Sequence, residues 1–521
     1  MCRISGTVNY TKEMIEKMVN HQKRGGPDYS NIQEVSSNIF FGHNLLSIIG
    51  DQVQPLNGGD ALTYNGEWYN YKDFYPYEES DTMALWLSIH KHDQKPRNGN
   101  SFRDAINDIN GMFSIGYFDC ERKKIYLAVD RFSQKSIYYY QEGDKFAFAS
   151  SPGALLHLKP KWEIDKDMMQ SYWLLGSCMG SMWKGIKKLG AAEMLTYDVS
   201  RGTIEIERYW EPKFQENTSG IEDLVLDAIN KVKISDVPIH IFLSGGIDST
   251  LVASQFACGS AIHLDSPERK YAQQVADKFG IDMKVVDPEE IKVAEYLTDY
   301  SLECGEPTMA GLIPYMTSKE TSKFGRVAIT ANGADELFFG YDRTHELNGK
   351  PQMDHTYRSI ERPKNWKWPF PMSFQYSEEP KGRLVELEGY VQYDLNKTLD
   401  FASMCHGLEV RSPFLDHRLV EMALSINEKE HRVAGNKSIL KDMLRKMGFS
   451  EQFLNRPKLG FSLHKQPDNI DKLISMTWKW VKSEGFLQCD DSKLSGRDKK
   501  YLEMSALGFY YWYACHSNKI L

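Results

Sequence analysis

The feature that most constrains this chain is the junction at residues 237–250. An apolar stretch, 237–243, runs directly into Ser244-Gly245-Gly246-Ile247-Asp248-Ser249-Thr250, which opens an apolar-periodic helix. Strand, glycine turn and helix N-terminus in succession make an anion site, because the glycines let backbone N–H groups approach and the helix dipole favours negative charge. Ser244, Ser249 and Thr250 add hydroxyl donors. Taken alone, a Gly-Gly turn is common punctuation between elements. The alternation continues, however: apolar runs at 261–264, 283–286 and 326–330 each precede a helical segment, the first at 269–279 and the last at 334–339. That pattern predicts a parallel sheet covered by helices, an α/β unit.

The first third reads differently. Period-two segments at 38–49, 112–119, 124–130, 136–140 and 145–150 predict strands, with Glu142-Gly143-Asp144 as a hairpin turn. Helical spacing at 12–20 and 81–91 adds flanking helices, so this part is α+β. Residues 211–220, with Pro212, Asn217, Ser219 and Gly220, read as a linker. Beyond 385 the period is helical, at 385–404, 416–424 and 438–446, and the aromatic-rich 501–516 reads as a core-facing helix rather than a cofactor site.

Composition narrows the function. A length of 521 residues predicts two to four domains at roughly 100–200 residues each. With 63 Lys+Arg against 71 Asp+Glu, the net charge of −8 argues against a broad phosphate-neutralising face, so no nucleic-acid partner is expected. No apolar run approaches the roughly 18–20 residues of a membrane span, and the start lacks a signal-peptide pattern, so a cytoplasmic protein without a membrane partner is expected. The eight cysteines form no CxxC pair, which predicts neither disulfides nor zinc.

One cysteine stands apart. Removal of Met1 would put a thiol and a free α-amine together on Cys2. An α-amine with an ordinary pKa of about 7.7–8.0 can take the thiol proton and later return it to a leaving amine. On its own Cys2 is an ordinary terminus. In company with Tyr64-Asn65-Gly66-Glu67 after a strand, Ser80-Asp81 at a helix start, Gly26-Pro27-Asp28, Gly42-His43 and Gly111-Met112-Phe113, the opening MCRISG resembles the glutaminase domain of class II, N-terminal-nucleophile (Ntn) amidotransferases. That resemblance implies an αββα sandwich over residues 1–210, an oxyanion hole from the Asn65 side chain and the Gly66 N–H, and Asp81 on the α-amine of glutamine. It also exposes a departure: Leu45 stands where the family carries an Arg that pairs with the glutamine carboxylate, so either another cation, Arg24 or Arg3, substitutes, or glutamine binds weakly and ammonia is the working donor.

The string SGGIDS is similar to the PP-loop of ATP pyrophosphatases, and GxxxxGK[ST] is absent. Together with NGEWYN, ANGADELFFGY, GLEVRSPFLD at 407–416 and RPKLGF at 456–461, it identifies the chain as resembling the glutamine-hydrolysing asparagine synthetases over residues 1 to about 465. The resemblance implies a PP-loop domain at 221–521 with a helical C-terminal extension. ATP and pyrophosphate would be held by Ser244, Gly245, Gly246, Asp248, Ser249, Lys437 and Lys458. Mg²⁺ would sit on Asp248 and Asp335, and Arg411 and Asn332 would shape the acceptor site. A homodimer is compatible with the resemblance.

The implied reaction consumes glutamine, ATP and a carboxylate acceptor, with aspartate as the leading case. Asn332 departs from the Glu of asparagine synthetases and from the Tyr of β-lactam-forming relatives, so a different carboxylate or an adenylating cyclase remains an alternative. Such a cyclase uses an internal amine and has no need of a glutaminase, whereas this chain retains Cys2 with Asn65-Gly66. A non-catalytic protein on the same fold would have little reason to keep Cys2, Asp248, Asp335 and Lys458 together.

Overall fold

The computed structural model describes residues 2–93, 101–257, 259–287, 293–341, 383–384, 386–427, 435–457, 470–490, 492 and 494–521. Up to Arg208 the strands are β1 (Arg3–Val8), β2 (Tyr29–Ser36), β3 (Ile39–Leu45), β4 (Leu56–Asn57), β5 (Ala61–Trp68) and β6 (Gly111–Asp119). They continue with β7 (Lys124–Val129), β8 (Tyr138–Glu142), β9 (Lys145–Ala149), β10 (Lys187–Lys188), β11 (Glu193–Asp198) and β12 (Thr203–Arg208). Two antiparallel six-stranded sheets result, ordered β10-β8-β9-β1-β3-β2 and β12-β11-β7-β6-β5-β4.

Alternation along the strands decides what each face meets. Ile4, Phe41, Phe118, Leu127 and Phe148 meet between the sheets. On the outside of the first sheet, Phe40 and Ala147 pack with Ile15, Met18 and Val19 of helix Lys12–His21. Outside the second, Leu62, Tyr64 and Ile115 pack with Ala84 and Leu85 of helix Asp81–Asp93 and Phe102 of helix Ser101–Asp108. The four layers are helix, sheet, sheet, helix, the Ntn αββα sandwich.

Two expectations are corrected here. Tyr64-Asn65-Gly66-Glu67 does not follow a strand but lies within β5, where Asn65 pairs with Ser114 and Gly66 with Phe113 of β6. The strand expected to reach Ile49 ends at Leu45. Beyond it the backbone bonds elsewhere: Ser47 N–H donates to Asp28 Oδ2 at 2.9 Å, and Ile48 O accepts from Asp236 N at 2.9 Å.

Residues 211–220 carry no helix or strand, and Gln215 N–H donates to Ser425 Oγ at 2.7 Å. After them comes a wholly parallel sheet of β13 (Ile239–Phe242), β14 (Ser260–Leu264), β15 (Asp282–Val286), β16 (Val327–Ile329) and β17 (Glu409–Arg411). Its order, β15-β14-β13-β16-β17, grows first to one side of β13 and then to the other. A parallel sheet that reverses in this way opens a crevice at the carboxyl ends of the two strands flanking the reversal.

The C-terminal helices Ile470–Ser483 and Gly496–His516 pack against the first half of the chain. Trp512 joins Trp162, Trp173 and Trp183 in one core, and Tyr172 OH donates to Ser505 O at 2.7 Å. Among the described residues no helix is long and apolar enough to cross a membrane.

Buried charges connect the two sheet systems. The carboxylate of Asp400, in helix Asn396–Met404, accepts from Arg3 Nη1 at 2.7 Å and Lys135 Nζ at 2.8 Å. Burial opposes its ionisation, but the two cations outweigh burial and hold its pKa below the ordinary aspartate value. Asp400→Asn leaves two buried cations short of a counter-charge and should cost about 3–5 kcal/mol. Because the folded pKa is depressed, this contribution is complete above the unfolded aspartate pKa of about 4 and is lost as pH falls through the folded value. Thermal unfolding midpoints of wild type and Asp400→Asn should therefore differ most at neutral pH and converge in acid.

Candidate active sites

Cys2 is buried at the start of β1. Its backbone N–H donates to Asn65 Oδ1 at 3.1 Å, and the Asn65 amide donates to Ser114 Oγ at 3.3 Å. The β5–β6 ladder thus brings Asn65 to Cys2, with Gly66 beside it. Burial pushes the Cys2 thiol up to about 11, offset in part by the positive chain terminus. Asp81, buried at the first position of its helix, accepts from Tyr64 OH and Trp68 N, both at 3.1 Å. Burial raises its pKa to about 6 despite these bonds. His43 lies buried in β3, drawn down to about 3 by burial, so it is neutral at physiological pH.

Leu45 is buried and pairs with Tyr29. Both suggested substitutes already have carboxylate partners. Arg3 is committed to Asp400, and Arg24 to Asp299 at 3.0 Å and Glu303 at 3.5 Å.

The crevice at β13 and β16 holds a cavity of about 550 Å³, and Ser244, Gly246, Asp248, Ser249, Asn332, Asp335 and Lys437 all line it. Gly245 takes a φ of +83°, and a Cβ there would stand 2.6 Å from the Ala272 backbone nitrogen, so only glycine makes this turn. Ser244 Oγ meets Ser249 Oγ at 2.9 Å across the loop. Lys437 Nζ sits 2.5 Å from both Asp248 Oδ2 and Asp335 Oδ1. Burial lowers its pKa, but the two carboxylates outweigh burial, so it stays charged. Thr330 Oγ1 donates to Asn332 Oδ1 at 3.1 Å.

Two carboxylates converging on one cationic point suit a hard divalent cation. Mg²⁺ takes few ligands from protein and fills the rest with water and phosphate oxygens. Among the described residues no cluster of three or more metal-ligating side chains occurs.

Arg411 is a correction, since it does not line this cavity. It lies fully buried at the end of β17, with Nε 2.5 Å from Glu409 Oε1, Nη2 3.4 Å from Glu67 Oε1, and Nη1 donating to the carbonyls of Val232 and Ile234. Burial works against both carboxyls. Arg411 outweighs it at Glu409, which is held low, whereas burial and the neighbouring Glu409 push Glu67 well up. Arg411 therefore joins β17 to β5. Lys458 lies outside the described residues.

Sequence reasoning overlooked Lys441 and Arg456 as cavity residues. Lys441 was findable, standing four residues after Lys437 on helix Ser438–Lys446. Arg456 stacks over Tyr271 with 4.0 Å to the ring centroid, a contact across 185 residues that no local pattern marks.

Comparison with known proteins adds to this geometry. Residues 220–484 match the asparagine synthase family and residues 1–210 the glutamine amidotransferase domain. The chain is 27% identical to asparagine synthetase [glutamine-hydrolyzing] 3 of Bacillus subtilis, over 82% of this chain and 81% of the relative. It is 30% identical to the putative asparagine synthetase [glutamine-hydrolyzing] 2 of Methanocaldococcus jannaschii, over 67% and 77%. The human asparagine synthetase [glutamine-hydrolyzing] is 26% identical, over 93% and 88%. A solved glutamine phosphoribosylpyrophosphate amidotransferase from B. subtilis overlaps at 13% identity and a TM-score of 0.30, covering 55% of this chain and 65% of that one, too weakly to bear on fold or function.

The Asp248–Lys437–Asp335 cluster depends on Gly340. A Cβ there would overlap Asp335 Oδ1 and stand 2.5 Å from Lys437 Cε. Gly340→Ala should therefore displace both side chains. Nucleotide affinity, measured by calorimetry, should fall at least about tenfold, or about 1.4 kcal/mol, with the β1–β12 sandwich unchanged by circular dichroism.

Proposed function

The chain belongs to the asparagine synthase family, and we propose that it amidates a carboxylic acid at the expense of ATP and glutamine. Residues 1–210 form the glutaminase and 221–521 the synthetase. A carboxylate oxygen attacks the α-phosphorus of ATP, giving an acyl-adenylate and pyrophosphate. Ammonia then displaces AMP, leaving an amide and one proton. Aspartate, giving asparagine, is the leading acceptor.

The observation that carries this reading is the convergence of Ser244–Ser249 and Asp335 at the sheet reversal, with Lys437 between the carboxylates. Backbone N–H groups of the Gly245-Gly246 turn and the hydroxyls of Ser244 and Ser249 receive the polyphosphate. Asp248 and Asp335 would hold Mg²⁺, which when bound supplies charge neutralisation to the phosphates. Lys437, released from them, follows the leaving pyrophosphate.

On the other side, loss of Met1 makes the Cys2 nitrogen an α-amine, already oriented by Asn65 Oδ1. That amine takes the thiol proton as Sγ attacks the glutamine amide carbonyl. Asn65 and the Gly66 N–H receive the developing oxyanion. The proton leaves with ammonia, and water releases glutamate from the thioester. Ammonia passes inward through the contact between the sheet systems, because in bulk water near neutral pH it would be largely protonated.

The two chemistries should separate by mutation. Asp248→Ala should abolish ATP–pyrophosphate exchange while leaving glutamine hydrolysis intact, and Cys2→Ala should eliminate glutamine-dependent amide formation while sparing the ammonium-dependent reaction. Formation of ADP instead of AMP would rule the scheme out. Screening acids by ATP–pyrophosphate exchange identifies the acceptor, and failure of aspartate beside success of another acid would assign Asn332 to a different substrate.

Leu45 sets a second expectation. A lost charged hydrogen bond to the glutamine carboxylate costs roughly 1.5–3 kcal/mol, roughly ten- to a hundredfold in affinity. Leu45→Arg should lower the KM for glutamine with little change in kcat, whereas an unchanged KM would show that another group already holds that carboxylate.

A further inference from the structure

A second cavity, of about 330 Å³, shares no lining residue with the nucleotide crevice. Its floor comes from β10 and β11, and its roof from Glu388, Gln392 and Tyr393 of the π-helical turns Glu386–Leu395. The volume suits a small metabolite.

The carboxylates in its wall already have donors. Asp165 caps helix Lys166–Leu175 through the N–H groups of Asp167 and Met168. Glu193 accepts from Gly190 N–H at 2.8 Å, and Glu388 from Arg208 Nη2 at 3.0 Å. Lys188 differs. Its Nζ donates to Gln392 O at 2.9 Å and lies 4.7 Å from the Tyr393 ring centroid, and among the described residues it makes no ion pair. Burial, aided by Lys397 and opposed by Glu306 and Asp130, draws its pKa down to about 7. Lys187, exposed beside it in β10, also lines the cavity and makes no ion pair among the described residues, so the buried Lys188 Nζ and its neighbour both lack a counter-charge. The guanidinium of Arg208 is committed to Glu388 and Trp210 O, leaving no second fork for a phosphate dianion. Met168, Met179 and Ile186 supply apolar wall.

We propose that this cavity binds a small organic carboxylate, its anionic end on Lys188 Nζ and its apolar body between Tyr393 and the methionines, as an effector. The roof gives it leverage. Glu386–Leu395 runs without a break into Asn396–Met404, where Leu399 lines the nucleotide crevice and Asp400 holds Arg3 beside Cys2. An occupant of the second cavity thus bears on the element that touches both candidate sites.

Benzoate serves as the probe on the full-length chain, with trace acetic anhydride at neutral pH as amine reagent and mass spectrometry as readout. Benzoate should lower acetylation of Lys188 about tenfold once nine sites in ten are filled. Acetylation of the exposed Lys184 should not change, and amide exchange across 386–404 should slow. In Lys188→Met, checked for an unaltered thermal midpoint, benzoate should no longer slow that exchange. Equal protection by inorganic phosphate would overturn the carboxylate assignment. An unprotected Lys188, or a benzoate effect that survives in Lys188→Met, would overturn the site, and protection of Lys188 without slowed exchange would overturn the effector role.

Discussion

The carboxylate of Asp400 is the point on which the two halves of the structure depend. It lies buried with Arg3 and Lys135 as its partners, and both partners come from the first third of the chain. A buried ion in this position is tolerable only when its counter-charges stay in place. Helix Asn396–Met404 therefore cannot shift without disturbing the residue that follows the nucleophile. Nearby, Lys397 Nζ donates to Cys178 O at 2.8 Å and Arg411 Nη2 lies 3.4 Å from Glu67 Oε1, so the contact between residues 1–210 and the rest of the chain is polar and buried.

Arg411 is part of this contact. One guanidinium faces two carboxyls, and it holds the closer one, Glu409, low while burial pushes Glu67 up. At the sheet reversal, the crevice concentrates two carboxylates, Asp248 and Asp335, around Lys437.

Much of the fold was legible because it is written in local periods. Helix Ser438–Lys446 appears where its apolar spacing placed it, and β13 with its glycine turn lies where the apolar run met Gly245. Local reading failed where a segment finds its hydrogen bonds far away. Asn65-Gly66 carries the composition of a turn, yet it is held in a strand by Ser114 and Phe113, about 50 residues on. Leu46 to Ile49 carries the composition of a strand but bonds to Asp28 and Asp236.

The sequence by itself determined the two architectures and the glycine turn at Ser244–Ser249, because each rests on side-chain alternation or on residues with unusual backbone freedom, whereas the association of Cys2 with Asn65-Gly66 came from resemblance to a family. It could not determine which charges are spent on one another. Arg3, Arg24 and Arg411 are indistinguishable in sequence from cations free to bind substrate. Only the tertiary structure commits them, through partners as distant as Asp400, Asp299 and Glu67. The reason is physical: desolvation of a charge is set by everything packed around it, and that neighbourhood exists only once the whole chain has folded.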